Sequence, residues 1–253
     1  MAAKKIIPCL DMKDGKVVKG INFQGMKDLG SPPDMAEDYC RQGADEVAFL
    51  DISATLEQRQ TTLKLLSEVA KRVTVPLAVG GGIRNADDVG YALEAGADKV
   101  SINSAAVMDP SMISESVERF GKKCVIIAID AKVVNGGWEV FTHGGMRPTG
   151  LDAVEWAGEV EDLGAGEILL TSIDADGVKT GYDIPLNKAV ADAVDIPVTA
   201  SGGCGKIEDF YEVLSQTGVS AALAASVFHY REFTVREVKE YLKDRGVPVI
   251  WQN

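Results

Sequence analysis

Two aspartates stand where short apolar runs end, Asp11 after Ile6–Leu10 and Asp130 after Val125–Ile129. The triplets Asp11-Met12-Lys13 and Asp130-Ala131-Lys132 answer one another 119 residues apart. Two carboxylates facing across one cavity can serve as general acid and general base. A lone aspartate more often caps a loop or binds a nearby lysine, so the matched placement is what argues for catalysis. His143 and His229 are the only histidines, and no histidine-based triad is apparent. Lys19 lies in the segment Met12 to Pro32 with Gly15, Gly20, Gly25 and Gly30, a composition that suits a mobile lid. There Lys19 either closes on an anionic substrate or is an ordinary solvated lysine.

Glycine-rich turns add phosphate chemistry. Gly81-Gly82 and Gly202-Gly203 are 121 residues apart, and each precedes a helical pattern. Glycine lets backbone N–H groups approach an anion, and a helix start favours negative charge. Asn103-Ser104 and Ala225-Ser226 are the corresponding pair one unit further on, while Asp176-Gly177 follows the sixth apolar run. Two such cradles predict a substrate with a phosphate at each end. Tight turns needing positive φ are the alternative for some of these glycines.

The elements that must position these residues alternate. Strands are expected at Lys5–Asp11, Glu46–Asp51, Pro76–Gly80, Lys99–Asn103, Cys124–Asp130, Glu167–Thr171, Pro197–Ser201 and Ala221–Ala225. Helices are expected at Pro33–Gln42, Thr61–Arg72, Ala86–Glu94, Asp109–Arg119, Asp152–Leu163, Pro185–Ala193, Ile207–Thr217 and Thr234–Asp244. Eight such units predict a (β/α)8 barrel, with an open doubly wound sheet as the alternative. The repeat of about 120 residues spans four units, so the barrel reads as two similar half-barrels in one domain, residues 1–253. Asp11 and Asp130 then end opposing strands at the catalytic mouth.

Period-two alternation sends Lys5 inward with Asp11, and the same parity sends Glu46, Lys99 and Glu167 inward at the other mouth. These four charges form either a closed ion-pair layer or a gate. Above them the inward positions include Cys9, Ala48, Ala78, Ser101, Ala128 and Thr171, small enough for a narrow passage.

Composition narrows the class. A chain of 253 residues that is 46% hydrophobic and 25% charged is neither disordered nor fibrous. It has no run of the ~18 apolar residues that a membrane span needs, which predicts a cytoplasmic chain without a secretory signal. The net charge of −12 opposes general binding to nucleic acid. Cys9, Cys40, Cys124 and Cys204 are too widely spaced for a zinc pair or a disulfide framework and read as reduced thiols. No metal and no cofactor is implied.

The segments IIPCLDMKDGKVVKGINF, GGGIR, GADKVSINSAA, EILLTSIDADG with GYD, SGGCGK and ALAASVFH, in that order, resemble the cyclase subunit of imidazole glycerol phosphate synthase over essentially the whole chain. The resemblance implies a lyase of histidine biosynthesis. Ammonia would add to a bisphosphorylated ribulosyl formimino aminoimidazole carboxamide nucleotide, giving imidazole glycerol phosphate and aminoimidazole carboxamide ribotide. It further implies acid and base roles for Asp11 and Asp130, a mobile-loop role for Lys19, and an ammonia gate of Lys5, Glu46, Lys99 and Glu167. A glutaminase subunit docked beneath would supply the ammonia as a separate chain. The sister isomerase of the same pathway is the nearest rival, and a non-catalytic barrel binding a partner through its charged face is a rival of another class. Lys5 stands where arginine is frequent, Ser104 where threonine is, and Cys204 where alanine is.

Overall fold

The computed structural model describes residues 2–13, 16–21, 24–28, 30–51 and 56–251. Strand β1 (Lys5–Lys13) runs into an antiparallel excursion, β2 (Lys16–Ile21) and β3 (Gln24–Asp28). Then come α1 (Pro32–Arg41), β4 (Val47–Asp51), α2 (Leu56–Ala70), β5 (Leu77–Gly80), α3 (Ala86–Glu94) and β6 (Lys99–Ile102). Helices α4 (Ser104–Met108) and α5 (Ser111–Phe120) lead to β7 (Val125–Val134), followed by its own antiparallel excursion, β8 (Gly137–Thr142) and β9 (Arg147–Asp152). The chain continues through α6 (Ala153–Asp162), β10 (Glu167–Ser172), α7 (Ile184–Ala193), β11 (Val198–Ser201), α8 (Ile207–Gln216), β12 (Ala221–Ala224), α9 (Ser226–His229) and α10 (Val235–Asp244).

Strands β1, β4, β5, β6, β7, β10, β11 and β12 pair in parallel in that cyclic order, and β12 closes on β1. This is the eight-stranded (β/α)8 barrel that the alternating pattern predicts. Both excursions follow the first strand of a half, and both halves place a short helix, α4 or α9, after their fourth strand. The duplication therefore shows in the architecture as well as in the sequence.

Alternation divides each strand between two cores. Ile6, Leu10 and Met12 of β1 pack outward in the large layer between sheet and helices. Ile7 and Cys9 turn inward with Ala48, Ala78, Ile126, Leu169, Ala221 and Leu223. Helix starts are fixed by side chains: Asn85 accepts from Asp88 N–H at α3, Asp152 from Val154 and Glu155 N–H at α6, and Thr234 from Glu237 N–H at α10. Among the described residues no helix is long and apolar enough to cross a membrane.

The structure departs from the expected elements in three places. The glycine-bearing segment after Asp11 forms strands β2 and β3 where a loop was expected, because β1 itself continues to Lys13 and offers an edge to pair with. The second excursion was not foreseen at all. The helix expected at Asp109–Arg119 is preceded by the separate α4, and α2 begins at Leu56, well ahead of Thr61.

Candidate active site

Strands β1 and β7 lie opposite each other in the ring, and their carboxyl ends carry Asp11 and Asp130. Asp11 accepts a weak bond from the Cys9 thiol, Sγ to Oδ1 3.4 Å. Asp130 accepts from Asn103 Nδ2 at 2.9 Å. Burial pushes its carboxyl up to about 6; the Asn103 bond opposes this, and the nearby Asp176 adds to it. Asn103, read from the sequence as a phosphate-cradle residue, thus also holds a carboxylate that could carry the chemistry.

Ser104 opens α4, and its Oγ accepts the backbone N–H of His143 at 3.0 Å, tying the β8–β9 turn to the rim beside β6. Asn103 and Ala225 are equivalent positions, each immediately ahead of a short helix. Gly81 and Gly82 adopt φ of +100° and +66° at the exposed end of β5. Gly202 and Gly203 are buried at φ +87° and +106°. A Cβ on Gly202 would lie 2.8 Å from Ser172 O, and one on Gly203 would lie 2.0 Å from Gly181 O. These two glycines let the loop after β10, which carries Asp176 and Gly177, settle against the loop after β11, and Gly181 N–H bonds Gly203 O at 2.9 Å. Gly203→Ala is accordingly expected to destabilise by about 3 kcal/mol or more, whereas Gly177→Ala, with positive φ but open space, should cost only about 1 kcal/mol. Thermal unfolding of the two variants measures the difference.

Lys19 sits in β2, its backbone paired with Lys27, and its side chain lies outside the described part of the molecule. Cys204 is buried, and burial raises its thiol well above the ordinary range, so it packs as an inert side chain.

At the opposite mouth the four inward charges meet. Lys99 Nζ reaches Glu46 Oε2 and Glu167 Oε2, each at 2.7 Å, and Lys5 Nζ reaches Glu46 at 3.5 Å. Burial alone would lower Lys99, but the two carboxylates hold its ammonium above the ordinary value. Burial raises Glu46, Lys99 opposes the rise, and the like charge of Glu167 reinforces it. Thr199, which sequence reasoning missed, donates to Glu167 Oε1 at 2.8 Å. The period-two count that turned Ser201 inward would have found it. Above the ring a cavity of about 10 Å³ lies among Ile7, Ala48, Ala78, Ser101, Ile126, Leu169, Thr199 and Leu223, room for roughly one water-sized molecule. The interior is tighter than the small residues alone suggested, because Ile7, Ile126, Leu169 and Leu223 share that layer.

A closed barrel with facing carboxylates at the strand carboxyl ends has the architecture of a (β/α)8-barrel enzyme. A family model described as histidine biosynthesis protein matches residues 5–234. Proteins named imidazole glycerol phosphate synthase subunit HisF from three strains of Dehalococcoides mccartyi are 55%, 54% and 54% identical over 253 residues, the whole of this chain and of each relative. The chain belongs to the imidazole glycerol phosphate synthase HisF subunit family. The cyclase resemblance is borne out, and the isomerase alternative is set aside.

Proposed function

We infer that this chain is a lyase of histidine biosynthesis, the cyclase subunit of imidazole glycerol phosphate synthase. It converts a bisphosphorylated ribulosyl formimino aminoimidazole carboxamide nucleotide and ammonia into imidazole glycerol phosphate and aminoimidazole carboxamide ribotide. The observation that carries the mechanism is the placement of Asp11 and Asp130 on opposing strands at one mouth, above an interior whose other mouth is the charged ring. One carboxylate takes the proton released as nitrogen attacks, and the other donates to the departing nitrogen. Asn103 orients Asp130, and Lys19 closes over the anionic substrate from the β2–β3 excursion.

The substrate's two phosphates occupy the two matched cradles, Gly81, Gly82, Asn103 and Ser104 on one side and Gly202, Gly203, Ala225 and Ser226 on the other, with Asp176 and Gly177 bordering the second. Positive φ at the four turn glycines and the helix starts that follow support this reading. Lys5, Glu46, Lys99 and Glu167 form the entry for ammonia made by a glutaminase subunit, which forms a heterodimer with this chain at the amino-terminal face. Exposed Ile250 and Trp251 on that face supply apolar surface for the partner. Both substrates are small and water-soluble, which suits a cytoplasmic enzyme.

The test is product formation by the purified chain alone, from the bisphosphorylated nucleotide in ammonium buffer at alkaline pH. Free ammonia then replaces the partner, and turnover is expected. Silence under these conditions, with the barrel folded, overturns the lyase reading.

A further inference from the structure

The charged ring at the bottom of the barrel is closed on three sides only. Lys99 joins Glu46 and Glu167, and Lys5 joins Glu46, but among the described residues no ion pair links Glu167 to Lys5. Strand order explains the gap. Lys5 and Glu46 belong to neighbouring strands, and one strand separates Glu46 from Lys99 and Lys99 from Glu167. Two strands, β11 and β12, lie between Glu167 and Lys5, making this the widest sector of the ring.

Thr199 and Ala221 fill that sector. They are register partners, and Ala221 is also the register partner of Lys5, so the three stand side by side around the wall. The Thr199 hydroxyl occupies Glu167 Oε1 at 2.8 Å, while Ala221 offers a single methyl to the interior cluster. Both residues are buried, and Thr199 also lines the cavity above.

We propose that ammonia enters the barrel through the Thr199–Ala221 sector while the three ion pairs of the ring stay closed. This rests on the reading above that ammonia arrives from the amino-terminal face. A route through any of the ion pairs would have to part opposite charges in a poorly hydrated interior, where their attraction is strongest. In the Thr199–Ala221 sector a neutral molecule meets one hydroxyl. Thr199 donates to Glu167 and keeps lone pairs that accept from ammonia, so the incoming N–H groups are met without the carboxylate being uncovered. Ala221 sets the width: a longer side chain there fills the gap that the strand order leaves open.

The full chain with its glutaminase subunit is assayed twice, once with glutamine and once with ammonium at alkaline pH, for Ala221→Leu and for the milder Ala221→Val. Free ammonia reaches the open catalytic mouth directly, so ammonia-driven turnover should stay within about twofold of the parent. Glutamine-driven turnover in Ala221→Leu should fall by about tenfold or more while glutamine hydrolysis continues, with a smaller fall in Ala221→Val. Undiminished glutamine-driven turnover in Ala221→Leu overturns the route. Should Ala221→Leu lose both activities through misfolding, the ratio of the two activities in Ala221→Val decides by the same criterion. Absence of ammonia-driven turnover in the unaltered chain overturns the lyase reading instead.

Discussion

Replacing Asp130 by Asn is expected to lower ammonia-driven turnover by about 10²–10⁴-fold, and Asp11→Asn by a similar factor, the usual contribution of a positioned acid or base. Asn keeps the shape of the side chain and can still accept the Asn103 amide bond. The loss therefore reports the missing proton transfer and not a collapsed loop. Stability should move the other way. The Asp130 carboxyl is held at about 6 by burial, against an unfolded value of roughly 3.9. A raised folded value means that the folded chain holds this proton more tightly than the unfolded chain does. The stability it contributes is fully present below the unfolded value and is lost as pH rises through about 6. Asn cannot ionise, so the melting temperature of Asp130→Asn relative to the parent should climb as pH rises from about 4 to about 7. Thermal unfolding across that range checks it, and a flat difference would remove the raised carboxyl from the account. In the parent, kcat/KM normalised to free ammonia should show an inflection near the same pH. A rate falling on its acid side makes Asp130 the base, and one falling on its alkaline side makes it the acid.

The second large effect concerns the fold. Lys239 of α10 is almost wholly buried, and its Nζ donates to Asp45 Oδ1 at 2.6 Å and to the Ile250 carbonyl at 2.8 Å. Asp45 in turn accepts Ile6 N–H at 2.9 Å, so one ion pair ties the last helix, the tail and the first strand together. Burial pushes the Asp45 carboxyl up, and Lys239 opposes that rise. Lys239→Met strands a buried carboxylate and should cost about 3–5 kcal/mol, seen as a fall in melting temperature of roughly 10 °C or more for a chain of this size. The double change Asp45→Leu with Lys239→Met should recover most of the loss, because it removes both charges together. If the double variant is as unstable as Lys239→Met, the cost arises from packing and not from the unpaired charge.

Much of this arrangement was legible in the chain. The period-two pattern of β1 alone sends Ile6 and Leu10 toward the helices and Lys5, Ile7, Cys9 and Asp11 toward the interior, as the two cores show. The excursions were not legible from hydrophobicity, because β9, Arg147–Asp152, is almost entirely exposed and has no apolar face to betray it. It exists because β8 offers a pairing edge, a tertiary cause that outweighs propensity. One local signal was available: Asn135 and Gly136 both adopt positive φ between β7 and β8, the turn chemistry of a two-residue hairpin. Helices α4 and α9 span five and four residues, too few for a helical period to register. Thr199 escaped notice because nothing in its neighbourhood distinguishes it until closure of the barrel brings Glu167 beside it.

The tail held by Lys239 has a practical side. Lys4 N–H bonds the Pro248 carbonyl at 2.8 Å, and Lys4 forms a parallel bridge with Val249, so both ends of the described chain leave the barrel on the face that carries Lys5. An affinity tag on either terminus would therefore emerge beside the charged ring and compete with a docking subunit. A glutaminase joined covalently to either terminus would need only a short connector to face the same opening.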